Sequence, residues 1–186
     1  FVLNDKVGAV GPLFNNIAGQ AMDGCKGKES LVEYSKMIEN KKKHIYSKRL
    51  SLHGSCLLLK KEVVNDVGKF DYNMENMAIW DDLSCRLILA GYNLILSADT
   101  YVFNLGEPFL RQSYSNFIKK WGFDFFYSNG CRFDLLNMMN LKLNKINILE
   151  IGCACGGTLL EISNRNNTAN LYGIEINKNA ANIAKM

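Results

Sequence analysis

The strongest local signal in the sequence is a strand followed by a turn of small residues, Ile148-Leu-Glu-Ile-Gly-Cys-Ala-Cys-Gly-Gly157. The apolar residues up to Ile151 predict a buried strand, and the small residues after it predict a tight turn leading into a helix over 158–165. A second strand over 171–176 and a helix from Ala180 onward continue the pattern. The order strand, helix, strand, helix is typical of an α/β unit with a parallel sheet.

The turn and the second strand predict a site for a nucleotide-type ligand. Small residues at a helix start let such a ligand approach the backbone closely. The second strand reaches Gly173-Ile-Glu175, and Glu175 lies 25 residues after Glu150. A carboxylate at that strand tip can accept hydrogen bonds from both hydroxyls of a ribose.

Residues 113–186 resemble the start of class I S-adenosylmethionine-dependent methyltransferases, whose first strand ends in acid-x-Gly-x-Gly-x-Gly and whose second ends in an acid. The resemblance implies S-adenosylmethionine as cofactor, with Glu175 on the ribose. It assigns cofactor contacts to Glu150, Gly152, Cys153, Ala154, Gly156 and Glu175. Ala154 stands where the family usually has glycine, which we expect to be tolerated if its φ is negative. An NAD-dependent oxidoreductase, or a Rossmann-type turn without function, stays open because such glycine motifs are shared.

The composition excludes several classes of protein. With 186 residues, 48% hydrophobic and 22% charged, the chain can bury a core, so it is neither a disordered tail nor a disulfide mini-protein. The net charge of +4 is concentrated in 26–49, where eight Lys or Arg face three Glu. The rest of the chain is close to neutral, so we expect no nucleic-acid partner. We also expect no transmembrane segment, while peripheral contact of Lys41-Lys42-Lys43 with anionic lipid stays open.

The cysteines predict reduced thiols in a cytoplasmic setting. None of them forms a Cys-x-x-Cys pair, and the chain has only 2 His, so we expect neither a zinc site nor a disulfide framework. Several lie in apolar runs, where a thiol packs as a small hydrophobic group. The cysteines are Cys25, Cys56, Cys85, Cys131, Cys153 and Cys155.

The first 110 residues contain short blocks in a fixed order. A strand over 7–10 precedes a break at Gly11-Pro12, and helices are predicted over 30–42, 61–67 and 82–90. Strands are predicted over 56–59, 93–98 and 101–103. The blocks are Val7-Gly-Ala-Val-Gly-Pro12, Asn15-Asn16, His53-Gly-Ser-Cys-Leu continuing to Asp71, Asp81-Asp-Leu-Ser-Cys-Arg continuing to Tyr92, and Asp99-Thr-Tyr-Val-Phe103.

These blocks resemble the acceptor-side half of a family 2 glycosyltransferase of GT-A fold, over residues 1–112. The resemblance implies transfer of a sugar from a nucleotide-sugar donor to a hydroxyl of a glycan acceptor, in glycan or polysaccharide biosynthesis. Such chemistry needs a carboxylate as general base, for which Asp81 and Asp82 are the candidates. Gly54 and Trp80 are candidates for acceptor binding. A structural role of the two aspartates as caps of a helix start stays open.

Two positions depart from the glycosyltransferase pattern. Trp80 stands where the family usually has its base, and Asn104 stands where it often has a metal-coordinating His. No Asp-x-Asp occurs before residue 50, so a divalent cation, Mg or Mn, is expected only for the complete domain. A noncatalytic glycan-binding or scaffolding derivative is therefore an alternative.

The stretch between the two resemblances contains predicted helices over 113–121 and 131–140. It resembles the connector of bacterial family 2 glycosyltransferases fused to a methyltransferase, so we place a domain boundary near residue 112. The predicted fold class is α/β: the C-terminal half of a Rossmann-like GT-A domain, followed by the first βαβα of a Rossmann-like methyltransferase domain. We expect a fragment of a bifunctional enzyme, inactive alone, because the chain opens on Phe1 and ends within a newly begun helix.

Overall fold

A mixed four-stranded sheet forms the first half of the chain in the computed structural model, which describes residues 6–22, 30–75, 77–106 and 114–185. Its strands occur in the order β2-β4-β1-β3. The central strands β1 and β4 are parallel, whereas β2 pairs antiparallel with β4 and β3 pairs antiparallel with β1. The elements of this half are β1 (Val7–Phe14), α1 (Leu31–Lys42), β2 (Tyr46–Arg49), β3 (Leu58–Leu59), α2 (Lys61–Val67), α3 (Ala78–Leu89) and β4 (Asn93–Val102).

The second half begins with a connector of short helices and ends in a two-stranded parallel sheet, β5-β6. Glu150 on β5 pairs with Gly173 on β6, so both strands end at the same edge. One face of this sheet packs on a small core, while Leu149, Ile151 and Tyr172 are exposed on the other. The elements are α4 (Ser115–Trp121), α5 (Phe125–Ser128), α6 (Phe133–Leu136), β5 (Asn147–Ile151), α7 (Gly157–Arg165), β6 (Asn170–Ile174) and α8 (Lys178–Ala184).

The main hydrophobic core contains side chains from both halves. Leu52, Leu83 and Leu94 of the first half belong to one buried cluster with Phe117 of the connector and Ile183 of α8. The chain is therefore a mixed α/β protein whose two halves are joined through apolar packing of the first half on the connector and α8. The predicted boundary near residue 112 lies in 107–113, outside the described residues, and the domain division stays a prediction.

Most predicted elements are present, with changes at their ends. The helix predicted over 30–42 is α1, and the helix predicted over 61–67 is α2, ended by Gly68 at φ 84°. The helix predicted over 82–90 begins earlier, at Ala78, and the two strands predicted over 93–103 form the single strand β4. The helix predicted over 131–140 is wrong for most of its length, because only α6 is helical there.

The predicted break at Gly11-Pro12 is also wrong, since both residues lie inside β1. β3 pairs with β1 only at Ala9 and Val10, so β1 is an open edge on that side at Pro12. Sheets tolerate proline at such edges and at irregularities, and the pairing register shifts directly after Pro12. None of the helices in the described part of the chain is long and apolar enough to cross a lipid bilayer.

Candidate functional site

A cleft of about 550 Å³ opens where the two halves meet, and we call it the junction cleft. Its walls come from the loop after β1, the end of β2 and the loop that follows, α3, the connector and α7. Asp81 and Trp80 from the predicted site line it, whereas Gly54 and Asp82 do not. Other polar side chains that line it include Gln20, Arg49, Ser51, His53, Tyr114, Glu161 and Asn164.

Asp81 lies at the wall of the junction cleft with both carboxylate oxygens engaged. Ser51 Oγ donates to Oδ1 at 2.5 Å, and the Tyr114 hydroxyl donates to Oδ2 at 2.6 Å. Only 8% of the residue is exposed, and this burial raises the pKa of Asp81 although both hydroxyl donors lower it. The carboxylate is thus oriented by two donors and is more basic than an ordinary aspartate.

Asp82 has the opposite environment. It is fully buried, with Arg86 Nε at 2.9 Å from Oδ2 and Lys120 Nζ at 2.7 Å from Oδ1. The indole N–H of Trp121 donates to Oδ1 at 2.9 Å. With two cations and an indole around it, Asp82 ties α3 to α4 and presents no oxygen to the junction cleft.

No side chain caps α3, whose N-cap position is Met77, so the capping role considered for the two aspartates is wrong. Asp81 does lie in the first turn of α3, where a negative charge is favourable to the helix dipole. Both carboxylates also make side-chain contacts to other elements. Arg86 pairs with the carboxylate of Asp82 inside the fold, so this arginine has a structural role.

Trp80 and Gly54 pack directly against each other. A Cβ on Gly54 would overlap the indole of Trp80, so only glycine permits this approach. The indole also makes an edge contact with Phe70, with ring centroids 5.0 Å apart. Gly54 lies in a turn and does not line the junction cleft; its lack of a side chain leaves room for the indole of Trp80, which does line it.

His53 and Gln20 are cleft residues that the sequence analysis did not select. Gln20 Oε1 accepts the backbone N–H of His53 at 2.6 Å, and Gln20 Nε2 donates to Pro12 O at 2.8 Å. Burial lowers the pKa of His53, and its Nδ1 accepts the N–H of Ser55 at 3.1 Å. The imidazole is therefore neutral with its proton on Nε2. His53 begins one of the sequence blocks described above, and that position could have marked it as a site residue. No local sequence pattern marks Gln20.

Asn104 belongs to an amide cluster at the carboxyl ends of β1 and β4. Its Nδ2 donates to Asn16 Oδ1 at 3.0 Å, and its Oδ1 accepts the N–H of Gly106 at 3.2 Å. Asn15 Oδ1 accepts the N–H of Asn104 at 2.7 Å. The Asn104 side chain, at the position where the glycosyltransferase resemblance implies a metal-binding His, therefore joins the two strand ends.

The second candidate site is the loop over 152–156, the glycine loop, between β5 and α7. Gly152 and Gly156 have φ of 74° and 79°, conformations that glycine adopts without strain. Ala154 has φ of 49°, so the negative φ under which we expected alanine to be tolerated is not present. A Cβ in this left-handed region costs about 1 to 2 kcal/mol.

Each N–H of the glycine loop already has an acceptor within the protein. Those of Gly152 and Cys153 donate to Ile174 O, at 2.7 and 3.1 Å. The N–H of Ala154 donates to Glu175 Oε2 at 2.9 Å. The remaining two pair Cys155 with Ser128 O at 3.0 Å and Gly156 with Cys153 O at 2.7 Å. In this conformation the loop offers close backbone approach and no spare donors.

The two predicted acids, Glu150 and Glu175, lie at the same edge of the β5–β6 sheet, and their pKa values are shifted in opposite directions. The N–H of Asn177, and then that of Ala154, keeps the pKa of Glu175 below its ordinary value against the opposing effect of burial. Burial raises the pKa of Glu150, although a hydrogen bond from Thr158 lowers it. Glu150 Oε2 is buried and has no hydrogen-bond partner among the described residues.

A second cleft of about 660 Å³ lies beside the glycine loop, and Gly156 and Glu175 line it. Cys153 also lines it and packs against β6, where a Cβ on Gly173 would overlap its sulfur. Gly173 therefore lets strand and loop approach closely. Of the predicted cofactor contacts, Cys153, Gly156 and Glu175 meet at this cleft.

The connector contacts both candidate sites. Near the junction cleft it supplies Tyr114 to Asp81 and Lys120 to Asp82. At the other end, a Cβ on Gly157 would overlap the carbonyl oxygens of Asn129 and Gly130, so the connector backbone lies directly on the first turn of α7. The two sites are thus linked by one continuous stretch of packed backbone.

The cysteines within the described residues are free thiols, as predicted. Burial raises the pKa of Cys155 to about 12 and that of Cys131 to about 11, so both are protonated at neutral pH. Cys25 lies outside the described residues. No cluster of three or more His, Cys, Asp or Glu suited to a metal occurs in the described part of the chain.

None of the protein-family models, curated proteins or solved structures compared with this chain matches it.

Proposed function

We propose that the chain is part of a bifunctional enzyme in which a glycosyltransferase precedes a methyltransferase, and that the junction cleft receives the acceptor of glycosyl transfer. The observation that carries the proposal is the position of Asp81. It is a buried carboxylate at the wall of a cleft, held by two hydroxyl groups, and no cation of the described residues pairs with it. That environment suits a general base.

The step assigned to Asp81 is removal of the acceptor proton. As the acceptor oxygen attacks the anomeric carbon, its proton moves to the Asp81 carboxylate, and the nucleoside diphosphate leaves with the electrons of the broken bond. Burial raises the pKa of Asp81, which brings its basicity closer to that needed near neutral pH. Ser51 and Tyr114 hold the carboxylate in one orientation, and Trp80 offers a flat face beside it on which a sugar ring can stack.

The second half is proposed to bind S-adenosylmethionine at the glycine loop. Glu175, at the end of β6, would accept the ribose hydroxyls. A nicotinamide dinucleotide carries a pyrophosphate that needs backbone donors, and those of the glycine loop are already used internally. S-adenosylmethionine carries no phosphate, so it does not need these five donors.

A test of the glycosyltransferase role compares Asp81→Asn with Asp82→Asn in the whole protein that contains this chain. Transfer of sugar from nucleotide-sugar donors to acceptor glycans is followed by the mass increase of the acceptor. We expect Asp81→Asn to lose at least a hundredfold in transfer rate while remaining folded. Asp82→Asn is expected to lower the stability of the fold, because Asp82 is held by Arg86, Lys120 and Trp121. Undiminished transfer by Asp81→Asn would remove it from the mechanism.

A second candidate function, noncatalytic glycan binding, is favoured by Asn104. Its amide is engaged by Asn16 and Gly106 where an active enzyme of this kind often has a metal-binding His. This alternative predicts that the whole protein binds glycans without consuming any nucleotide sugar. Release of nucleoside diphosphate that depends on the acceptor would contradict it.

A further inference from the structure

The junction cleft is closed on one side by α7, which is fixed to the edge strand β2. The side-chain amide of Asn164 accepts the N–H of Lys48 at 3.0 Å and donates to Lys48 O at 3.1 Å. It therefore pairs with β2 much as a neighbouring strand would, and it covers an otherwise open sheet edge. This contact holds α7, a helix of the second half, at the wall of the cleft that Asp81 also lines.

Arg49 and Glu161 face each other across this contact and both line the junction cleft. Arg49 Nη1 lies 3.9 Å from Glu161 Oε2, which is too long for a hydrogen bond. Their side chains are 26% and 21% exposed. Glu161 Oε1 accepts a hydrogen bond from Arg165 Nε at 2.8 Å, so Oε2 is the carboxylate oxygen on the Arg49 side. The same Nη1 of Arg49 donates a hydrogen bond to Lys48 O at 3.0 Å. Arg49 Nε and Nη2 have no acceptor among the described residues.

These features describe a site for a neutral sugar. A carboxylate that accepts and a guanidinium that donates, held side by side, match two neighbouring hydroxyls of a pyranose. The charges in the cleft are balanced, Lys48 and Arg49 against Asp81 and Glu161, which favours an uncharged ligand over an anionic one. The volume of about 550 Å³ lies within the usual range for small-molecule sites.

We infer that the acceptor site is composite: Glu161 of the second half and Arg49 of the first together bind a pair of adjacent hydroxyls of the acceptor sugar. This rests on the proposed function of the junction cleft, and it makes Glu161 and Arg49 specificity-determining residues. The acceptor preference of the first half is then set partly by a helix of the second half.

The test is saturation-transfer difference NMR of this chain with methyl glycosides of glucose, galactose, mannose and N-acetylglucosamine. We expect at least one glycoside to bind, and its fully O-methylated analogue not to bind, because it has no hydroxyl to donate. Glu161→Gln and Arg49→Gln should each weaken binding about tenfold. Glu33→Gln, the same charge change on an exposed position of α1, is the matched control and should bind as the wild type does.

The outcomes separate this inference from the proposed function. Equal affinity of wild type, Glu161→Gln and Arg49→Gln would overturn the composite site, even if Asp81→Asn still abolished glycosyl transfer. Binding by this chain that depends on Glu161 and Arg49, together with no transfer from any nucleotide sugar by the whole protein, would overturn the proposed function and leave the composite site standing. Absence of binding by every glycoside would overturn the composite site. Thermal unfolding of each variant, compared with the wild type, excludes a loss of binding through unfolding.

Discussion

Asp81 and Asp82 are neighbours on α3 and have opposite surroundings. Successive helical residues point about 100° apart, so one carboxylate reaches the junction cleft and the other reaches the connector. Asp81 is held by hydroxyl groups, whereas Asp82 is held by Arg86, Lys120 and Trp121. Asp82 therefore stabilises the fold, and Asp81 is the candidate for the chemistry.

Replacing Asp82 by Asn should destabilise the protein strongly. The change leaves Arg86 without its buried anion, while Lys120 keeps its ion pair with Asp71, and breaking such a buried pair costs about 3 kcal/mol of unfolding free energy. Urea denaturation measures it. Asp134→Asn, in an exposed ion pair with Arg132, is the control and should unfold close to the wild type. Equal midpoints for the two variants would argue against the buried network.

Replacing Asp81 by Asn should change the pH dependence of stability. Burial raises the pKa of Asp81 in the folded state above its ordinary value of 3.8, so the folded protein holds this proton more tightly than the unfolded chain does. Wild-type stability therefore falls as pH rises from about 3.8 through the raised pKa. Asn does not titrate, so the stability of Asp81→Asn relative to the wild type should rise over that window and then level off. Urea unfolding at a series of pH values tests this, and a pH-independent difference would refute it.

Replacing Ala154 by Gly should stabilise the protein by about 1 kcal/mol, because glycine adopts the left-handed φ of this position without strain. The measurement is again the free energy of unfolding. Ala181→Gly inside α8 is the matched control and should destabilise by up to about 1 kcal/mol. If both substitutions were equally destabilising, the strain assigned to Ala154 would be absent.

At the scale of elements, the docking of α7 on β2 depends on one amide side chain. Asn164→Ala removes the acceptor of the Lys48 N–H, which should then exchange its amide proton faster. Hydrogen exchange followed by NMR gives the rate at Lys48. Ser163→Ala, an exposed neighbour on the same helix, should leave that rate unchanged. Unaltered protection of Lys48 in Asn164→Ala would mean that another contact holds the helix there.

Elements that depend on local signals were predictable from the sequence, and those that depend on distant contacts were not. α2 was predicted because a short amphipathic run ends at Gly68, a local signal. β2 was missed because its polar sequence becomes a strand only through pairing with β4 and the amide of Asn164. The same reason applies to Asp81 and Asp82: the residues that distinguish them, Tyr114 and Lys120, come from a connector whose packing no local pattern reveals.

At the scale of the whole molecule, the main core joins the four-stranded sheet to the connector and to α8 of the second half. Phe117 of the connector and Ile183 of α8 are buried in the same cluster as Leu83 of α3. The glycine loop is held to the connector by the hydrogen bond from Cys155 to Ser128. The glycine loop therefore contacts the same connector whose Tyr114 holds Asp81.

Titration calorimetry of this chain with S-adenosylmethionine and with NAD⁺ tests the bifunctional account most directly, because it needs no acceptor and no donor sugar. The account predicts saturable binding of S-adenosylmethionine, loss of that binding in Glu175→Gln, and no binding of NAD⁺. Saturable binding of NAD⁺ with no response to S-adenosylmethionine would contradict it and make the second half an oxidoreductase-type domain.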